Sequence, residues 1–394
     1  MDYIKQQAGI IGSNVLIVIF SYMLCSFVSE SFMGLIVRIV ISGLTVLLVE
    51  LIFMRKTEEF AWAKNKLKQI IHREKRMERN KQVDIIRGVA ILLVVLEHAL
   101  GTSDNFFAKI ILSFHMPVFF ILSGYLAHEK ITGNFGAVIK KKIKRLLIPQ
   151  LTLAILSLLY NFFIGKLVLH TATAEELSIF YCFFRGWFLL VMAQVVIAWE
   201  VLTRICKNYL IEAEGILLGV CIIYTIVVPQ GVSGPLYIAV TPVAFGYYLA
   251  GNLIHKAGRI LKDKQIGEKI TGKGNIVLLL VSCALITVLS LYNKPVLMYE
   301  NSYGNVLISL VTAFIGYYVL SDMAKLMHEN AFLQWCGKNS IIVYVVHFSI
   351  VQGTRGILVR LLPLPMEILG WIVFVVAVLI VLAVGKICER HFMF

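Results

Sequence analysis

Residues 83–100 read VDIIRGVAILLVVLEHAL. The stretch Gly88–Leu96 is uncharged and almost wholly apolar, with Asp84 and Arg87 before it and Glu97 and His98 after it. An apolar run of this length with few charges is what a bilayer-spanning helix requires, about 20 residues at 1.5 Å each. It is too long for a buried strand and lacks the alternation of a membrane barrel strand. Charges within a span are expensive, so each marks a candidate functional position. Asp84 and Arg87 are three residues apart and share a helix face, so they can pair. Arg87 and His98 are eleven residues apart, almost three turns, and also share a face, about 16 Å apart along the axis. A thin ligand could run from one to the other.

Outward from this helix the rest of the chain is of the same kind. Its 394 residues are 59% hydrophobic and 15% charged, with mean hydropathy +0.83. A soluble domain has about 45–50% apolar and about 25% charged residues. The composition excludes a soluble enzyme, a disordered chain and a disulfide scaffold, and predicts an all-α polytopic membrane protein. Apolar runs of spanning length fall at approximately 8–28, 33–54, 83–100, 107–127, 144–165, 183–203, 213–229, 234–254, 275–292, 303–321, 339–358 and 366–388, twelve in all. The first, followed at once by a second and without a small-residue cleavage site, reads as a span rather than a signal peptide. The domain reading is therefore two helices in 1–54, a basic linker in 55–82 and a ten-helix unit in 83–394.

Placing the N-terminus in the cytoplasm puts 29 Lys and Arg on the cytoplasmic side and six outside. This bias predicts a cytoplasmic-membrane protein with both termini inside. The net charge of +14 is thereby a matter of topology and lipid, not of nucleic acid. Segment 55–82 is the most basic, with ten basic and four acidic residues and apolar positions at helical spacing, as in an amphipathic helix on the inner leaflet. The seven cysteines show no CxxC or Cys/His clustering and read as small buried hydrophobes, so neither a metal nor a disulfide is expected.

The next run contains Ser113-Phe-His115-Met-Pro117-Val-Phe-Phe-Ile-Leu-Ser123-Gly124-Tyr125. His115 lies at the depth of His98, and Ser123-Gly124 lies toward the cytoplasm. The basic run Lys140-Lys-Lys142-Ile-Lys-Arg145 then precedes Pro149. Arg87 and His98 separated by ten residues, the FHMPVFFILSGY wording and a basic pair before a proline together resemble the membrane-bound acyltransferase family 3. The wording is closest to its fucose 4-O-acetylase-like branch of polysaccharide O-acyltransferases. Trp187-Phe188 and the late Asn339-Ser340…Tyr344…His347 segment are similar to later family motifs. The resemblance covers about 80–388 and leaves the first two spans outside it.

The resemblance implies transfer of an acyl group, acetyl in the simplest case, from cytoplasmic acyl-CoA to a hydroxyl of a sugar or lipid-linked or exported glycan on the far side. Acyl-CoA is then a substrate, with no permanently bound cofactor. Arg87, Lys142 and Arg145 are expected at the CoA phosphates, and Ser123 and Gly124 along its pantetheine arm. His98 is expected as the general base, with an acyl-His relay as an alternative. A passage should link Arg87 to His98. Glu97, His115, Tyr125, Trp187, Tyr344 and His347 are candidates for the acceptor cavity, and Asp84 for a structural partner of Arg87. Glu97 stands where the family usually has a small or apolar residue. As a helix neighbour of His98 it need not face the imidazole. A flippase or transporter of lipid-linked glycan is the main competing function, but it predicts repeats and mid-span carboxylates that the sequence lacks. A non-catalytic membrane scaffold would leave Arg87 and His98 unexplained. Acceptor identity and any homo-oligomerisation stay open.

Overall fold

A computed structural model describes Val18 and residues 81–101, 105–127, 133–170, 172–263, 276–327 and 330–391. The chain divides into two units, Met1–Arg79 with Phe394, and Asn80–Met393. The expected spans at 8–28 and 33–54 and the basic segment 55–82 lie outside the described residues, apart from Val18, Lys81 and Gln82. All elements named below belong to the second unit.

The helices are α1 (Lys81–Leu100), α2 (Phe106–Leu112), α3 (His115–Tyr125), α4 (Phe135–Tyr160), α5 (Ile179–Arg185), α6 (Trp187–Ile205), α7 (Leu210–Val227), α8 (Thr241–Asp263), α9 (Ile276–Tyr292), α10 (Val306–Leu326), α11 (Ala331–Lys338), α12 (Ser340–Leu361) and α13 (Met366–His391). No strand occurs among the described residues. Each of the ten runs expected after residue 82 contains helix. Eight segments are long and apolar enough to cross a membrane. The other two runs are α1, which carries Asp84, Arg87 and Glu97, and the 17-residue α9.

The run expected as one helix at 107–127 is broken at Ser113-Phe114, between α2 and α3. Pro117 has no N–H to give residue 113, and its ring would crowd that carbonyl. The chain tightens instead: Ser113 and Phe114 donate their N–H groups to Ile110 and Ile111, three residues back. Ser113 Oγ also donates to the Ile110 carbonyl at 2.7 Å. Asparagines open other helices, Asn305 and Asn330 accepting N–H groups of Ile308 and Leu333 at the starts of α10 and α11.

Burial separates central from peripheral helices. The best spanning windows of α2–α3 and of α8 are each 61% buried, against 17% for α7. Apolar side chains facing lipid gain little by burial, so small residues and close backbones must hold the centre. Two crossings show this. Gly124 of α3 lies under the Tyr248 carbonyl of α8, and Gly251 of α8 under the Ile121 carbonyl of α3. Gly88 of α1 and Gly337 of α11 likewise meet the Leu333 and Asp84 carbonyls. A Cβ at any of the four would overlap backbone that cannot swing aside. α1 is also packed by α10, α12 and α13.

Candidate active site

At its far end α1 offers Glu97 and His98. The Glu97 carboxylate accepts a hydrogen bond from His98 Nδ1. Helix neighbours need not face each other, but here the glutamate side chain folds back across the helix surface to the imidazole. In the neutral ring the proton then sits on Nδ1 and the lone pair on Nε2.

α12 brings the second histidine. His347 Nδ1 is 2.7 Å from the Tyr344 carbonyl, to which it donates, leaving Nε2 as an acceptor. That Nε2 is buried and has no hydrogen-bond partner among the described residues. The two imidazole centroids are 5.1 Å apart. Next to His347 on α12, Phe348 stands edge-on to His98 at 5.8 Å. Two turns beyond that, Arg355 reaches back and donates from one terminal nitrogen to the carbonyls of His98 and, at 2.8 Å, Ala99. These are orphan acceptors at the end of α1, where a cation is favoured.

The two histidines line a cavity of about 850 Å³. Its walls come from α1, α4, α5, α6 and α12 and from the loops carrying Tyr237 and Tyr299. A π-helical turn, Asn161–Leu169, continues α4, and its first residue, Asn161, lies in the wall. Arg185, the last residue of α5, extends its guanidinium over Phe348 at 4.9 Å. It meets Glu176 at 3.6 Å.

Of the residues singled out in the sequence, His98, Glu97, Trp187, Tyr344 and His347 line this one cavity. The others are elsewhere. His115 is not in the wall: it is buried and bonded at 2.8 Å to the Ile111 carbonyl across the α2–α3 break. Tyr125 is not in the wall either. It lies at the opposite end of α3, with its ring 4.8 Å from that of His255. Gly124 meets α8, a helix crossing rather than an open groove. Lys142 is bound to Glu200, which also approaches Arg204 at 4.0 Å. Asp84 is buried at the α1–α11 crossing. Arg145 is exposed on α4.

The cavity that holds His98 does not itself extend to Arg87. On α1 the cavity stops at Val94, and Arg87 does not line it. Just below the floor residues Met116 and Tyr344, Phe188 packs against Phe119 at 5.6 Å and Tyr344 at 5.5 Å. Three helices, α3, α6 and α12, thus bring aromatic rings together beside the cavity.

The arrangement suits proton removal from a hydroxyl: a carboxylate holds an imidazole, a second imidazole offers an acceptor beside it, and the cavity admits a substrate. The sequence missed Arg185 and Arg355, reading them only as sparse charges of the outer loops. A cation within an apolar run, Arg185 in 183–203 and Arg355 in 339–358, was the available signal.

Residues 80–388 match the family described as the acyltransferase domain. The nodulation protein NolL of Sinorhizobium fredii (strain NBRC 101917 / NGR234) is 39% identical over 83 residues. That match covers 18% of this chain and 23% of NolL, so the chain spans under a quarter of that relative. No solved structure matches.

Proposed function

The chain belongs to the acyltransferase domain family matched over residues 80–388, and from that premise we propose that it is an O-acyltransferase using acyl-CoA, acetyl-CoA in the simplest case. The acceptor is a hydroxyl of a sugar or envelope glycan. The observation that carries this reading is the Glu97–His98 pair facing His347 within one cavity.

In the proposed mechanism Glu97 holds the Nδ1 proton of His98 and thereby keeps Nε2 basic and oriented. Nε2 takes the proton of the acceptor hydroxyl as its oxygen attacks the thioester carbonyl. The new C–O ester bond forms, the C–S bond breaks, and the departing CoA thiolate receives the proton from His98. The unpartnered Nε2 of His347 accepts a hydrogen bond from the acceptor and helps place it. The aromatic wall, including Trp187 and Tyr237, supplies flat faces for a sugar ring.

The donor's phosphates dock at the opposite, basic end. There Arg87 is half-buried, and Lys140, Lys141, Lys144 and Arg145 are exposed on the first turns of α4. Lys142, engaged by Glu200, contributes less. The basic end faces the cytoplasm and the His98 cavity faces outside, in keeping with the charge bias of the loops. For the thioester to reach His98, the Phe119–Phe188–Tyr344 floor parts when the donor is bound.

The test is incubation of the purified full chain with acetyl-labelled acetyl-CoA and a panel of saccharides. The reading predicts acceptor-dependent release of CoA and label recovered in an alkali-labile sugar ester. If no saccharide stimulates CoA release, the proposal fails.

A further inference from the structure

Neither the His98 chemistry nor the sequence motifs call for a positively charged cavity, yet the cavity is one. Two guanidiniums, of Arg185 and Arg355, line it against a single carboxylate, Glu97, and that carboxylate is occupied by His98. Arg355 spends one terminal nitrogen on the carbonyls of His98 and Ala99, and its other N–H groups have no acceptor among the described residues. Among the described residues Arg185 has one acidic partner, Glu176 at 3.6 Å, too long for a strong charge-assisted hydrogen bond. It is held over the Phe348 ring, the same ring that abuts His98. The cation and the imidazole therefore flank one aromatic ring, a span that a single pyranose with its exocyclic groups can bridge.

Resting on the reading of this cavity as the acceptor site, we propose that the acceptor is an anionic saccharide, its carboxylate or phosphate held by Arg185 and Arg355 while one of its hydroxyls lies at His98. A planar guanidinium with unspent donors is the side chain suited to such a group, and its hold survives best where protein walls limit water. Neutral sugars would fit the aromatic faces but leave the unspent N–H donors of both guanidiniums without an anionic acceptor from the ligand.

The experiment measures binding to the detergent-solubilised full chain by calorimetry, with methyl glucuronoside, glucose 6-phosphate and the neutral methyl glucoside as probes. Acetyl transfer to each is followed separately. At least one anionic probe should bind about tenfold or more tightly than the neutral one, and the better anion identifies carboxylate or phosphate. Arg185→Gln should reduce that preference to about threefold or less, and Arg185→Lys should retain part of it. Equal affinities for charged and neutral probes in the unaltered protein would overturn the proposal, as would an unchanged ratio in Arg185→Gln. Transfer without charge preference would sink this inference alone. Charge preference without any transfer would sink the acyltransferase mechanism alone.

Discussion

In the proposed mechanism His98 is the residue on which the chemistry turns, and its neighbours decide how. A base that must take a proton from a hydroxyl needs a fixed ring and a known tautomer, and Glu97 provides both by accepting from Nδ1. His98→Ala should therefore lower acyl transfer by about 10²-fold or more, while CoA binding, made at the other end of the helix, survives. Transfer within a tenth of the unaltered rate would remove His98 from the role of base. Glu97→Gln keeps the size and loses the charge. It should lower kcat by about tenfold or more with the KM for acetyl-CoA little changed; a change confined to KM would mean that Glu97 binds donor instead. His98, His347, Tyr344 and Trp187 were legible in the sequence because they occur in motifs at fixed spacings. Glu97 was visible as a residue but not as a partner, since helix geometry places neighbours about 100° apart and only the reach of a glutamate closes the gap. Arg185 and Arg355 were counted and misread. Their helices are distant in sequence, and only the fold brings both to the cavity at the end of α1.

Among the helices, sequence periodicity located the spans, and local breakers adjusted them. The ten runs after residue 82 could be read because lipid demands continuous apolar length. The α2–α3 break escaped that reading because Ser113 and Phe114 do not interrupt the apolar run, although Pro117 carried the signal. The helix crossings were equally hidden, since a glycine in a span looks alike whether it touches a neighbour or nothing. The structure separates the two cases. Gly124 and Gly251 lie against carbonyls of the opposing helix, whereas Gly215 and Gly219 of α7 have nothing within 4 Å. Gly124→Ala should thus force α3 and α8 apart, at a cost of about 1–3 kcal/mol, and lower the thermal unfolding midpoint in detergent by several degrees. Gly219→Ala removes a helix-weakening glycine without a clash and should leave the midpoint unchanged or slightly raised. Equal losses from both substitutions would show that the crossing is not where α3 and α8 are held.

On the scale of the whole molecule, the two ends do different work. The cavity with its histidines lies at the far end of α1 from Arg87, and the rings of Phe119, Phe188 and Tyr344 pack together beside it. An acyl-CoA carries several phosphate charges, and taking these through hydrocarbon is prohibitive. In the proposed mechanism it therefore docks on the side where cations are plentiful and sends only its uncharged arm inward. The 29 basic residues assigned to the cytoplasmic side, against six on the other, make that side the basic one. Sealed vesicles resolve the matter. Inverted vesicles, which expose the basic end, should release CoA from acetyl-CoA added outside when acceptor is trapped within. Right-side-out vesicles given the same external acetyl-CoA should not. Arg145→Ala should weaken the donor's apparent affinity in the inverted preparation, each lost charge-assisted contact being worth about 1.5–3 kcal/mol, or roughly tenfold to a hundredfold. Equal activity in both orientations would place the donor in the His98 cavity itself. The floor would then have no need to open, and the acyl group would be transferred on one side of the membrane rather than across it.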